Sequence, residues 1–245
     1  MNFVLIHGAM HGGWCWERVV PLLERAGHVV IAPDLPGLGA DQTPASAVTL
    51  AGWGDFIADT LQRLPGKTIL AGHSLGGMAI SQAAEVAPER IATLVYVTAL
   101  LPEHGRSAFD LTRDDNVFDQ SGKQEIPPAP DRLTITSDPE HVRAVLYGET
   151  EREWADRALT RLVPQPFAVL QMPAALSAAR FGSVPRAYIE CLRDRVLEIA
   201  LQRRMQAATP CGTVLQIDTD HSPFYSAPED LAAKLLAIAA QAHAA

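Results

Sequence analysis

The segment Gly72-His73-Ser74-Leu75-Gly76 sets a serine hydroxyl between two glycines, at the junction of an apolar run and a helical pattern. Residues 67–71 read as a short buried strand, and 77–84 as a helix that stops near Pro88. A turn tight enough to join them strains the serine backbone and leaves no room beyond glycine two positions to either side. Ser74 is thereby raised above the end of a sheet, where a nucleophile belongs.

A serine hydroxyl attacks poorly at neutral pH unless a neighbouring base takes its proton. Among the eight histidines, His221 is the candidate: it follows the apolar run 214–217 across Asp218-Thr219-Asp220 and precedes the last helix. In an open parallel sheet that loop emerges at the carboxyl edge, as does Ser74. The base needs a carboxylate to fix its tautomer and stabilise the imidazolium. Asp194 follows a strand over 186–192 at the same edge; Asp218 and Asp220 are its rivals, disadvantaged because residues so near His221 do not readily fold back onto its ring.

Attack on a carbonyl leaves a negative oxygen, which two backbone N–H groups should meet. Leu75, directly after the serine, supplies one, and Ala9, in the glycine-rich turn His7-Gly8-Ala9-Met10-His11-Gly12-Gly13, supplies the other. His7, His11 and His73 crowd this region, but no acidic or cysteine partner completes a recognised metal spacing, so no metal site is expected. Cys15, Cys191 and Cys211 form neither a disulfide framework nor a ligand set, and read as buried thiols. Every group the chemistry needs belongs to the chain, so no cofactor is expected.

These groups must be positioned by a sheet. Strand-like runs recur at 3–6, 29–32, 68–71, 94–98, 187–191 and 214–217, with helical patterns at 16–25 and 50–64 and a last helix opened by a capping-box pattern at Ser226-Ala227-Pro228-Glu229. Such alternation predicts an α/β fold, a parallel sheet with helices on both faces. The alanine-rich stretch 239–245 reads as a fraying helix end. Between 102 and 185 the pattern breaks into proline-interrupted helical pieces, including 124–130 and 149–162. Their apolar faces need another surface, which makes 102–185 an inserted helical cap and 1–101 with 186–245 the core. Phe109, Leu111, Phe118, Trp154, Leu159, Phe167, Leu170, Met172, Leu176 and Phe181 are its apolar side chains, with Trp154 and Phe167 chosen as pocket wall beside Gly8, His11 and Ser222.

With 245 residues and 48% hydrophobic content, the chain can bury one full core. A net charge of −8 argues against nucleic acid and anionic membranes as partners and suits a small neutral substrate. The first strand starts without a basic leader, and no apolar run approaches the roughly 20 residues of a membrane span, so a cytoplasmic protein is expected.

Taken together, residues 3–9, 71–78, 181–184, 188–191 and 220–226 resemble the α/β-hydrolase superfamily. Within it the likeness is to the branch of plant methylesterases, salicylate-binding esterases and hydroxynitrile lyases, and most of all to bacterial pyrethroid-hydrolysing carboxylesterases. The resemblance implies a Ser74–Asp194–His221 triad, a six-stranded sheet lacking two N-terminal strands, a helical cap and a homodimer formed through that cap. It also separates esterase from lyase. Lyases of the branch carry threonine after the first-strand histidine and lysine after the catalytic one, where this chain has Gly8 and Ser222. A small-molecule ester is therefore the expected substrate; a hydroxynitrile lyase, or a binding protein that kept the fold without turnover, is the alternative.

Overall fold

The structure is a computed structural model that describes residues 1–113 and 133–244; Phe118, the run 124–130 and Ala245 lie outside them. Strand β1 (Asn2–Ile6) leads through a 3-10 turn at Gly13–Trp16 to helix α1 (Val20–Arg25) and strand β2 (Val29–Ile31). Helix α2 (Leu50–Gln62), strand β3 (Thr68–Ser74), helix α3 (Gly76–Val86) and strand β4 (Ile91–Ala99) follow. Next come α4 (Ala108–Thr112), β5 (Thr134–Ile135), α5 (Pro139–Leu146), α6 (Arg152–Leu159), β6 (Gln165–Pro166) and α7 (Ala168–Gln171). The chain closes with β7 (Arg186–Cys191), α8 (Ile199–Ala208), β8 (Thr213–Ile217), α9 (Pro223–Ser226) and α10 (Pro228–Ala244).

As the strand-like runs and the resemblance lead one to expect, six strands form one parallel sheet; their order is β2-β1-β3-β4-β7-β8. Its faces follow from the alternation of a pleated strand. Val4 and Ile6 of β1 join the apolar layer made with α2, α3 and α8, through Trp53, Met78 and Leu201. Phe3 and Leu5 join the opposite layer with α1 and α10, through Leu23, Leu231 and Leu235. β1 has β2 on one side and β3 on the other, so the connections leaving it diverge and open a crevice at their carboxyl ends.

Three local expectations need correction. The helix expected over 16–25 begins only at Val20, because Pro21 has no N–H to donate and fits only a first turn. No capping box opens the last helix: the Ser226 hydroxyl donates to the Asp220 carboxylate at 2.7 Å, and a separate short helix, α9, precedes α10. Ala239 does not fray; it is helical and buried with Ile238 against the sheet.

In its described part, the stretch 102–185 contributes to both layers. Val142, Leu146, Tyr147, Ala155 and Ala158 of the α5–α6 region join the α1/α10 side. Leu111, Val169 and Leu170 of α4 and α7 join the other. Among the described residues no helix is long and apolar enough to cross a membrane.

Candidate active site

β3 turns into α3 within two residues, and the strain of that turn falls on Ser74, whose φ is +52°. A non-glycine residue rarely adopts this left-handed conformation, and here it lifts the side chain off the sheet edge. The flanking glycines are required by close approach. A Cβ at Gly72 would come within 2.7 Å of the Gly76 carbonyl oxygen, and one at Gly76 within 2.6 Å of the His7 carbonyl oxygen. Ser74 is half-buried, and so stays within reach of a ligand.

The loop after β8 brings His221 over the elbow, with Nε2 3.0 Å from Ser74 Oγ. Its Nδ1 lies 2.6 Å from Asp194 Oδ2, in the loop after β7. A carboxylate accepts but does not donate, so this contact assigns the proton to Nδ1 and leaves Nε2 as the acceptor facing the serine. Asp194 is fixed in turn: Oδ1 accepts the Val196 and Leu197 N–H groups at 2.6 and 2.9 Å, and Oδ2 also accepts the Thr98 hydroxyl.

The rival carboxylates are otherwise engaged. Asp218 is exposed and paired with Arg193. Asp220 is buried, but its oxygens accept from the Ser222 and Glu149 N–H groups at 3.0 and 2.8 Å and from Ser226. It braces the histidine loop against the stretch after α5 instead of facing the imidazole.

The turn after β1 completes the site. His7 Nδ1–H donates to the Gly8 carbonyl at 2.9 Å while its Nε2 accepts the Leu35 N–H at 3.0 Å. His11 Nδ1–H donates to the Ala9 carbonyl at 2.7 Å while its Nε2 accepts the Tyr147 hydroxyl at 2.6 Å. Burial pushes the His7 ring down to about 4 and the His11 ring down to about 3, so both work as neutral imidazoles. Burial also holds His73 well below its ordinary value; its Nε2–H donates to the His221 carbonyl at 2.7 Å, and its ring lies 4.7 Å from the His221 ring. No hydrogen bond among the described residues uses the N–H of Ala9 or of Leu75.

The residues expected to line a pocket occupy less uniform positions. Phe167 is half-buried, edge-on to Phe109 at 5.6 Å. Trp154 packs on Tyr225 at 5.4 Å beneath the Arg18 guanidinium, on the α1/α10 side. His11 is 2% exposed with both ring nitrogens engaged, and Ser222 is fully buried, so both lie beneath the site and not along an open wall. A Cβ at Gly8 would come within 2.8 Å of Ser74 Cβ and 3.0 Å of His73 Nδ1. Glycine there lets the elbow close onto the first turn, and the room it leaves is already taken by the protein.

A model described as the Alpha/beta hydrolase family matches residues 3–234. The chain belongs to the alpha/beta hydrolase family. This family member is 36% identical over 238 residues to a pyrethroid hydrolase of Sphingobium wenxiniae, covering 94% of this chain and 85% of that one. It is 33% identical over 252 residues to putative methylesterase 11, chloroplastic, of Arabidopsis thaliana, covering 97% of this chain and 64% of that relative's length. Tomato methylketone synthase I, solved with 2-tridecanone, superposes with a TM-score of 0.86 at 28% identity over 98% of both chains. The resemblance to plant methylesterases and bacterial pyrethroid hydrolases read from the motifs is thus borne out.

Three neighbours of the site escaped the sequence reading: Thr98, Tyr147 and Gln165. Gln165 accepts the Met10 N–H at 3.2 Å beside the first-strand turn, and the Val163 N–H donates to the Met10 carbonyl at 2.9 Å. Nothing in their local pattern marks these residues, because each acts across a separation that only the fold closes.

Proposed function

We propose that this protein is a serine carboxylesterase that cleaves neutral carboxylic esters with apolar groups, pyrethroid-type esters among them. The observation that carries the reading is the unbroken chain from Ser74 Oγ to His221 Nε2 and from His221 Nδ1 to Asp194 Oδ2, at 3.0 and 2.6 Å. Ser74 attacks the ester carbonyl as His221 takes its proton, and the N–H groups of Ala9 and Leu75 receive the negative oxygen. The intermediate collapses, the leaving alcohol takes the proton from His221, and water then releases the acid by the same relay.

The stretch 102–185 serves as the cap that selects the ester. Two anchors support this: 163 and 165 bond to Met10 beside Ala9, and 149 bonds to Asp220 beside His221. Partly buried Phe109, Val163, Phe167 and Met172 supply apolar surface on that side of the core. A net charge of −8 disfavours an anionic substrate. The names of the relatives, methylesterase and pyrethroid hydrolase, support the reaction class, since both denote cleavage of an ester.

The test is covalent. A fluorophosphonate probe should add to the peptide containing Ser74, read by mass spectrometry, and p-nitrophenyl esters should be turned over. Ser74→Ala should abolish both without moving the melting temperature. A folded protein that is neither labelled at Ser74 nor active on any ester of the series would overturn the reading. Inertness toward a pyrethroid alone would remove only that substrate.

A further inference from the structure

β3 and β4 run in register from Ile69 opposite Thr93 to His73 opposite Val97, and then the pairing slips so that Ser74 lies opposite Ala99. Thr98 is the extra residue, a bulge in β4 directly beside the elbow. Its φ is +36°. A β-branched residue is among the least suited to this left-handed region, so the surroundings must impose the conformation. They do so from two sides. The Tyr188 hydroxyl on β7 accepts the Ala99 N–H at 3.1 Å and donates to the Ala99 carbonyl at 2.8 Å. The Leu100 N–H donates to the Ser74 carbonyl at 3.0 Å.

A regular strand would direct position 98 to one face of the sheet; a bulge re-aims it. Here the side chain is fully buried, and its hydroxyl donates to Asp194 Oδ2, the same oxygen that meets His221 Nδ1. With Val196 and Leu197 on Oδ1, the carboxylate has four donors.

We infer that Thr98 is a positioning residue for the reaction: its bulge aims a hydroxyl that fixes the Asp194 carboxylate and draws charge from the oxygen facing His221. The same bulge holds the Ser74 carbonyl through Leu100, so one irregularity in β4 sets both ends of the relay. The rate consequence rests on the esterase reading above; the geometric assignment does not.

Removing the donor changes the hydrogen bond that the same carboxylate oxygen accepts from His221 Nδ1–H. Thr98→Val keeps the shape and loses the hydroxyl, whereas Thr98→Ser keeps the hydroxyl.

We expect Thr98→Val to lower kcat about tenfold with KM unchanged, the loss of roughly one hydrogen bond to a charged group. The downfield proton NMR signal of His221 Nδ1–H, the third readout beside kcat and KM, should shift. Thr98→Ser should match the wild type in all three. A folded Thr98→Val with wild-type kcat and an unmoved imidazole proton would overturn the inference, as would a folded Thr98→Ser with altered kcat or imidazole signal. The proton signal is read without substrate, so a wild type inert toward esters would sink the esterase reading and still leave Thr98 decided by the spectra.

Discussion

Asp194 is the residue at which the proposed chemistry is most exposed to a single change. Its two oxygens accept from Val196, Leu197, Thr98 and His221, all donors. Asparagine would set an N–H against one of these pairs. Turned toward His221, it would demand an acceptor at Nδ1, leave the proton on Nε2 and remove the base that serves Ser74. We expect Asp194→Asn to fold and to lose about 10³–10⁴ in kcat, checked by a thermal melt beside ester turnover. Near-normal turnover would detach the imidazole from this carboxylate. Ser74, Asp194 and His221 were legible because chain order and strand ends locate a residue on the sheet edge whatever its neighbours do. Thr98 was not, because a bulge is a disagreement in register between two strands and leaves no mark on either one. The pattern makes His11 a pocket-wall candidate because it shows only its type and its turn, while its burial and its bond to Tyr147 depend on a residue far along the chain, just after α5.

At the level of elements, the weight falls on how the stretch 102–185 is fastened to the core. Glu17, just after the first 3-10 turn, receives Arg157 through two bonds, Arg161, and the Tyr225 hydroxyl at 2.6 Å. Arg161 also lies over Trp14, and Arg18 over Trp154. Burial works against ionising Glu17, but the hydrogen bonds from Arg157 and Tyr225 and the arginine charges outweigh it and hold the carboxyl below its usual value. A depressed carboxylate stabilises the fold above its unfolded value, and that contribution disappears as pH falls through the folded one. Glu17→Gln should therefore lower the melting temperature by roughly 2–4 °C at neutral pH, about 1 kcal/mol for a partly exposed cluster, and by less at high salt, which screens the pairs. Equal effects at low and high salt would show that shape, not charge, matters here. The sequence revealed that these pieces must lie on the core, since their apolar faces are too small to close alone. It did not reveal the fastening, and it placed the start of α1 too early because the helical period extends past what Pro21 permits.

At the scale of the whole molecule, three imidazoles are sealed beneath one edge of the sheet. His7, His11 and His73 are buried neutral, the first two down to about 4 and about 3 and the third well below its ordinary value, with desolvation the leading cause in each. In the unfolded chain each would take up a proton near the usual 6.5, so between that value and the folded ones the unfolded state binds more protons than the native state. Stability therefore falls as pH drops. The slope reaches roughly 1.4 kcal/mol per pH unit for each histidine, about 4 for the three together, against a total of about 5–15 for an ordinary domain. The protein should thus lose stability steadily between about pH 6 and about pH 4, before ordinary carboxylates are mostly protonated. Because desolvation, unlike an exposed ion pair, is little screened by salt, added salt should not rescue it. Urea unfolding at about pH 7, 6 and 5, with calorimetric proton uptake approaching three per molecule at the lowest, checks this directly. A flat stability over that range would mean that the rings beneath the site admit water and charge, and the picture of a dry, neutral floor under Ser74 and His221 would have to be abandoned.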